Sequence, residues 1–267
     1  MGLIFNGNKP SKIIYNGAES SLYFNGSKIW PESDPYNPLN LPANTVRVKT
    51  SDGNAPVRGS QASYETATLV PGTTDVYDVY KSGTSFQSLL YNATNITAVL
   101  GANTTGITNM NSMFESCSYL TSVSLFDTSN VTDMHNMFLS CRRLTSVPLF
   151  DTSNVTNMNG MFAGCSKLTS VPLFDTSSAT DMGSMLGGCV KLTSVPLFDT
   201  TNASNISSMF MNCRVVESGA LALYQQASTQ TTPPLNYSNC FYNCGNNTTT
   251  GAAELAQIPT DWGGTMS

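Results

Sequence analysis

Apolar residues recur along the middle of the chain with a fixed period of 24 residues. The rows that keep this period hold methionine, phenylalanine, aspartate and cysteine, and the cysteine row is Cys117, Cys141, Cys165, Cys189 and Cys213. The period divides residues 96–215 into five repeats, the first of them degenerate. A fixed period in this range is typical of a solenoid, in which each unit buries its apolar face only against its neighbours.

Each repeat predicts the same succession of short elements. In the repeat at 144–167, Val147 and Leu149 alternate with polar or ring residues, which is typical of a short strand. The Asp-Thr-Ser-Asn segment at 151–154 favours a turn, because its short side chains bond back to the backbone. The apolar residues that follow have the spacing of one helical face and are Met158, Met161, Phe162 and Cys165. The predicted fold class is a mixed α/β repeat solenoid whose coils contain a strand, a turn and a short helical segment.

The residues before the array predict three further parts. Residues 1–30 contain three Asn-Gly pairs beside aromatic residues, the strongest short signal for β-hairpins. Residues 31–42 carry four prolines and are expected to form a semi-rigid linker. Residues 43–95 are expected to form the N-terminal cap, with strands at 45–49 and 76–80 and a short helix containing Phe86, Leu89 and Leu90.

After residue 215 the period breaks. A helix is predicted at 218–227, and the segment Phe241-Tyr242-Asn243-Cys244 resembles the end of a repeat, which indicates a sixth, stretched coil. Residues 216–267 are therefore expected to hold a divergent last coil and the C-terminal cap.

The repeats resemble those of the BspA-like leucine-rich-repeat surface proteins. The resemblance rests on the unit Leu-Thr-Ser-Val-Pro-Leu-Phe-Asp-Thr-Ser-Asn-Val-Thr-Asn-Met-Asn-Gly-Met-Phe-Ala-Gly-Cys at 144–165 and on its copies, and it covers residues 96–215. It implies a solenoid with a role in adhesion and without enzymatic activity. The N-terminal hairpins and the segment 216–224 are similar to those of phage-encoded proteins, which implies a phage origin.

Composition and charge narrow the classes of function. Charged residues make up 11% of the chain and the net charge is −5, against roughly 25% charged residues in an ordinary domain. No cluster of Lys and Arg is present to neutralise phosphates, so nucleic-acid binding is disfavoured. Neither a secretory signal nor a run of ~18 apolar residues is visible, so no membrane insertion is expected.

The repeated cysteines, methionines and aspartates are each compatible with a structural role or with a ligand-binding role. The seven cysteines are expected to be buried structural thiols, with a disulfide or metal site at Cys240 and Cys244 as the alternative. The methionine rows are expected to fill the core. The aspartates either accept hydrogen bonds within their own turns or bind Ca²⁺ between coils, and they are Asp127, Asp151, Asp175 and Asp199. We expect no cofactor and no resident metal.

Catalytic residues are not indicated. The single histidine, His135, occupies a position where other repeats have Asn111, Asn159, Gly183 or Ser207, so we expect an exposed side chain without a catalytic role. No nucleophile elbow, phosphate-binding loop or paired carboxylates stand out.

Comparing the repeats with one another separates fixed positions from variable ones. The variable positions follow the apolar stripe and include a mildly basic edge, and variable positions on a rigid scaffold are where recognition is tuned. The alternative is a merely solvated edge. The candidate ligand-binding residues are His135, Asn136, Arg142, Arg143, Asn159, Lys167, Lys191 and Arg214.

Three functional hypotheses follow. The first is a non-enzymatic virion surface protein of a bacteriophage, whose solenoid binds a host-surface protein or glycan. Its N-terminus would dock on a capsid or tail protein, or form a homo-oligomer, through Phe5, Tyr15, Tyr23, Phe24 and Trp30. The second is a bacterial cell-surface adhesin. The third, which the single histidine disfavours, is an enzyme that acts on surface glycans.

Overall fold

The computed structural model describes residues 41–265 and, as backbone only, the short strands Ile13–Tyr15 (β1) and Ala18–Ser20 (β2). These two strands pair antiparallel on either side of the second Asn-Gly pair, where a hairpin is predicted. The side chain of Tyr15 lies outside the described residues, as do Phe5, Tyr23, Phe24 and Trp30, so the docking prediction falls outside this structure.

A five-stranded sheet precedes the repeats. Its strands lie in the order β4-β5-β3-β6-β7, and every pair is antiparallel except β6 and β7. The strands are Thr45–Thr50 (β3), Thr66–Leu69 (β4), Val76–Tyr80 (β5), Ile96–Asn103 (β6) and Ser122–Val123 (β7). The strands predicted at 45–49 and 76–80 are thus confirmed. The parallel pairing of β7 with β6 is the point where the sheet passes into the repeats.

Backbone hydrogen bonds join each repeat to the next. The N–H groups of Met134, Asn136 and Phe138 donate to carbonyls of the following repeat at 2.9–3.0 Å. Parallel bridges recur 24 residues apart and link Asn109, Asp133, Asn157, Asp181 and Asn205 in sequence. Equivalent residues of successive repeats therefore lie beside one another.

The short helical segment predicted in each repeat is not a helix. From Met134 to Cys141, alternate N–H groups donate to the next repeat. Of those between them, His135 donates to the Asp133 carboxylate and the other three close turns three residues back. Asn136 and Ser140 have left-handed backbone, with φ of 54° and 61°. An α-helix needs consecutive N–H groups to bond four residues back, so the bonds between repeats replace the helix. The helix predicted around Phe86 is absent for the same reason.

The strand predicted at Val147 and Leu149 is also wrong. The N–H of Phe150 donates to the carbonyl of Pro148 at 3.0 Å, which closes a three-residue turn around Leu149. This turn places Phe150 inside and leaves Leu149 59% exposed. Val147 and Leu149 therefore do not share a face.

The core consists of stacked rows. Phe138, Phe162 and Cys165 are fully buried, as predicted. The ring centroids of Phe138 and Phe162 lie 5.6 Å apart with planes 2° from parallel, and Phe114 lies 5.4 Å from Phe138. Such stacked pairs add to the free energy of burial.

The array extends beyond the residues assigned to it from the sequence. Phe86 donates its N–H to the carbonyl of Asn109 at 2.8 Å, so the segment from residue 84 already bonds like a repeat. Leu41, at the end of the predicted linker, is buried and accepts a hydrogen bond from Asn103.

The C-terminal end closes the array with a stretched coil. Ile206 donates to the carbonyl of Asn236 at 2.8 Å, across a segment that contains the helix Ala220–Ser228 (α1). A second helix, Thr249–Leu255 (α2), and a 3-10 turn, Thr260–Trp262, follow. Trp262 covers the last coil by stacking on Tyr237 with a centroid separation of 4.3 Å.

Candidate functional site

A row of cations follows one edge of the array. Within residues 41–265 the side-chain ion pairs are Arg47–Asp78 and Lys49–Asp75, both in the sheet, so the cations of the array have no acidic partner there. Arg143 is held over the ring of Tyr119, with its guanidinium carbon 4.1 Å from the centroid. We call this row the cationic edge; its exposed members are Arg142, Arg143, Lys167, Lys191 and Arg214.

A shallow groove lies on the third to fifth repeats, and in each of them a lining residue precedes a member of the cationic edge by two to four positions. Its volume is about 190 Å³, and its lining residues are Ala163, Ser184, Gly187, Gly188, Ser208, Met211 and Asn212. The groove arises because Ala163 and Gly187 are small where the neighbouring repeats have Leu139 and Met211. Two adjacent repeats therefore lack the side chains that would fill this part of the surface.

His135 and Asn159 belong to a row of amides and carboxylates rather than to a free edge. Asn159 donates from Nδ2 to Asp181 at 3.0 Å, and the Nδ2 of Asn111 lies 3.3 Å from Nδ1 of His135. Both side chains are half-buried. The expectation that His135 is exposed is wrong, because its repeat neighbours cover it.

The variability at Asn136 has a conformational cause. The equivalent positions all have left-handed backbone, with φ from 53° to 64°, and are Ser112, Asn136, Gly160, Ser184 and Ser208. Only glycine and small polar residues adopt this conformation at low cost. The Asn136 side chain lies over Gly160, where an added Cβ would come within 2.2 Å of its Oδ1. Asn136 is therefore explained by the turn, and the structure brings together only the cationic members of the predicted set.

A row of exposed leucines was missed by sequence reasoning. Each is between 53% and 63% exposed, and they are Leu125, Leu149, Leu173 and Leu197. The signal was present, because Pro148, Pro172 and Pro196 precede three of them. Proline restricts the residue before it and donates no hydrogen bond, which disfavours a continuous strand.

The exposed aspartates accept hydrogen bonds within their own turns. Asp127, Asp151 and Asp175 each accept from the backbone N–H two residues later, at 2.9–3.1 Å. Hydrogen bonds from Ser177 hold the pKa of Asp175 below its ordinary value. Among the described residues no group of three or more His, Cys, Asp or Glu could hold a metal ion, and this includes the aspartate row proposed for Ca²⁺.

All seven cysteines are buried and free. The Sγ of Cys165 donates to the carbonyl of Phe138 at 3.2 Å, and the cysteines of the other repeats make the equivalent bond. Burial raises the pKa of Cys165 to about 12. Cys240 and Cys244 form no disulfide in this structure. All seven are core residues, and the S–H groups of the five repeat cysteines donate to backbone carbonyls.

In the part of the chain that the structure describes, no helix has the length and apolar character needed to cross a membrane.

Comparison with known proteins identifies the repeats. The sequence profile of a family described as "Mycoplasma protein of unknown function, DUF285" matches residues 84–170 and 144–249. Its first match begins where the hydrogen-bonded array begins. No curated protein and no solved structure matches the chain. Since the profile spans more than half of the sequence and describes repeats of the BspA-like type, the chain belongs to this family.

Proposed function

We propose that the chain is a non-enzymatic surface protein of a phage virion, in which the repeats form a solenoid that binds the surface of the host cell. The N-terminal aromatic residues would attach it to a capsid or tail protein, or to further copies of the chain. The observation that carries the proposal is the cationic edge, which has no acidic partner among residues 41–265, on repeats whose interior rows are nearly invariant.

The repeats combine a constant apolar interior with surface positions whose residues differ from one repeat to the next. The interior rows repeat the same apolar residues and stack within 5.4–5.6 Å of one another in the phenylalanine pairs. The side chains of the cationic edge do not take part in this packing. Changes at these positions alter the chemistry of the surface without altering the fold, which suits a recognition module.

Two alternatives are retained. A bacterial cell-surface adhesin would use the same edge but would be attached to a cell. A glycan-acting enzyme would need two placed carboxylates or an activated nucleophile. The exposed aspartates are engaged by their own turns, and His135 is half-buried, so neither supplies an obvious catalytic group.

The decisive experiment tests whether the protein lies on the surface of the phage particle. Antibodies raised against the full chain should label intact phage particles in immunogold electron microscopy. Deletion of residues 1–30 should leave a folded protein that no longer joins the particle. Labelling of bacterial cells without labelling of particles would favour the adhesin, and labelling of neither would contradict both surface functions.

A further inference from the structure

We propose that the cationic edge and the adjoining groove bind a polysaccharide whose repeating sugar carries a negative charge. The inference rests on the proposed surface function and names the class of ligand. Lys167, Lys191 and Arg214 belong to the three successive repeats whose residues line the groove. The anionic groups would lie along the cations, and one sugar ring would enter the groove.

The charge arrangement supports a linear polyanion rather than a single anion. Equivalent residues of neighbouring repeats are close, since backbone hydrogen bonds of 2.7–2.9 Å join each of these repeats to the next, as from Phe138 to Met161 and from Gly164 to Gly187. Arg143, Lys167 and Lys191 occupy the same position in three successive repeats. These three charges therefore follow the long direction of the array, and a chain with regularly spaced anions would meet one after another. Exposed cations such as these, which have no acidic partner among residues 41–265, gain most from such a ligand.

The groove supports a sugar rather than a simple charged chain. Its volume of about 190 Å³ is small, below the ~300–1,000 Å³ of pockets that hold drug-sized ligands. It therefore admits one small unit of a larger ligand. Met211 and the two glycines give an apolar wall on which the C–H face of a sugar ring can pack.

Polar groups for the sugar hydroxyls are present in the same groove. Ser184 and Ser208 line it, and their hydroxyls take part in no hydrogen bond with the described residues. Asn212 accepts a hydrogen bond from Asn243 at 3.1 Å through Oδ1, which leaves its Nδ2 group as a donor. Buried hydroxyls of a ligand need such partners, because an unpaired polar group costs free energy.

Affinity electrophoresis of the full chain tests the proposal. Gels would contain polygalacturonate, whose sugars carry carboxylates, or phosphomannan, whose sugars carry phosphates, with dextran as the neutral polymer. We expect retardation by at least one charged polysaccharide, no retardation by dextran, and loss of the effect at high salt because exposed charges are screened. Which polymer binds more tightly distinguishes carboxylate from phosphate.

Two variants separate the contributions of charge and groove. Lys167→Ser with Lys191→Ser should weaken binding by about tenfold or more. The matched control, Lys49→Ser with Arg58→Ser, makes the same change in net charge elsewhere and should leave binding unchanged. Ala163→Leu should fill the groove, and Leu139 shows that this position accepts leucine. It should weaken polysaccharide binding without changing retardation by polyglutamate, which has charges but no sugar.

Failure of the polysaccharide proposal can be distinguished from failure of the proposed phage surface function. If neither charged polysaccharide retards the chain, or if the lysine variant binds as well as the control, the inference is wrong even where immunogold still labels the particle. If polyglutamate binds as tightly as the polysaccharides and Ala163→Leu has no effect, the groove has no part in recognition. Unlabelled particles would remove the phage function while leaving the measured affinity for the polymer intact.

Discussion

The N-terminal sheet and the repeat array are held together by different patterns of polar contacts. In the sheet, each polar contact occurs once and joins distant segments, as Arg47 does with Asp78 and Asn95 with Asp52. In the array, one contact recurs: a buried threonine donates to the carbonyl of the aspartate 23 residues later, at Thr128, Thr152 and Thr176. Removing one such hydrogen bond from the sheet therefore leaves no equivalent bond there. Removing one from the array leaves the equivalent bonds of the other repeats in place.

The two regions also differ in how they use charge. Arg47 is buried between strands and pairs with Asp78 at 2.6 Å, and Lys49 pairs with Asp75 at 3.2 Å. In one row of the array neutral amides alternate with carboxylates, as in Asn157 between Asp133 and Asp181. The aspartates of a second row accept hydrogen bonds from the backbone of their own turns. The carboxylates of the array thus have amide or backbone partners, and its exposed cations have no acidic partner among residues 41–265.

Alkaline pH is expected to produce the largest difference between the two regions, since the array has the cysteines and the sheet has none. Burial raises the pKa of Cys117, Cys165 and Cys213 from an ordinary value of 9.0 to about 12. Each buried neutral thiol therefore contributes fully to the free energy of unfolding below pH 9.0. As pH rises from 9.0 to the folded-state pKa of about 12, this contribution is lost by about 1.4 kcal/mol per pH unit for each thiol.

Hydrogen exchange and thiol labelling at increasing pH check this expectation. Amides of the array should lose protection before those of β3 and β5, and a thiol reagent should label the protein only as that protection is lost. Cys165→Ala should reduce the steepness of the pH dependence. Rapid labelling of the folded protein near neutral pH would contradict the burial of the thiols.

Phe162→Ala is expected to be the most damaging single substitution of the array. The ring is fully buried and stacks on Phe138 at 5.6 Å and on Phe174 at 5.8 Å. Removal of a large core aromatic costs about 3–5 kcal/mol. Urea denaturation gives the loss, and hydrogen exchange should place it in this repeat and its two neighbours. A uniform loss of protection across the sheet would show that the two regions unfold as one unit.

Asp78→Asn is expected to have an intermediate effect that is confined to the sheet. The Arg47 side chain is 10% exposed and donates to both carboxylate oxygens of Asp78. Replacing the carboxylate leaves a nearly buried cation without its partner, at a cost of about 1.5–3 kcal/mol. A double-mutant cycle with Arg47→Met measures the coupling. Independent effects of the two substitutions would mean that the pair contributes little.

Leu173→Ser should have the smallest effect, within about 0.5 kcal/mol, because surface substitutions away from packed groups are nearly neutral. Leu173 is 63% exposed, whereas the adjacent Phe174 is 2% exposed. The matched variant Phe174→Ala should therefore cost several times more in the same urea titration. Equal losses for the two variants would contradict the three-residue turn that separates them.

The sequence predicted the interior of the array well because one period governs both packing and pairing. Residues 24 apart must lie beside each other once the repeats stack, so the burial of Phe138 and Cys165 follows from spacing alone. The local backbone structure within a repeat was harder to predict. The spacing of Met158, Met161 and Phe162 equals that of a helix face, but the same residues point inward from a series of turns.

The candidate site was predicted in part. Arg142, Arg143, Lys167, Lys191 and Arg214 could be assigned to an exposed edge because long cations are rarely buried without partners. Asn136 and Asn159 could not be interpreted from variability alone. The left-handed φ of 54° at Asn136 and the hydrogen bond of Asn159 to Asp181 depend on contacts with neighbouring repeats.

The period, the identity of the interior rows, the strands β3 and β5 of the sheet and the family type of the repeats could all be derived from the sequence alone. Which backbone N–H groups bond within a repeat, and which bond to the next one, depends on contacts that exist only in the folded protein. That choice replaces the helices with turns, exposes Leu149 while burying Phe150, and opens the groove beside Ala163 and Gly187. The physical reason is that hydrogen bonds between repeats compete with local ones, and a neighbouring repeat is present only after the chain has folded.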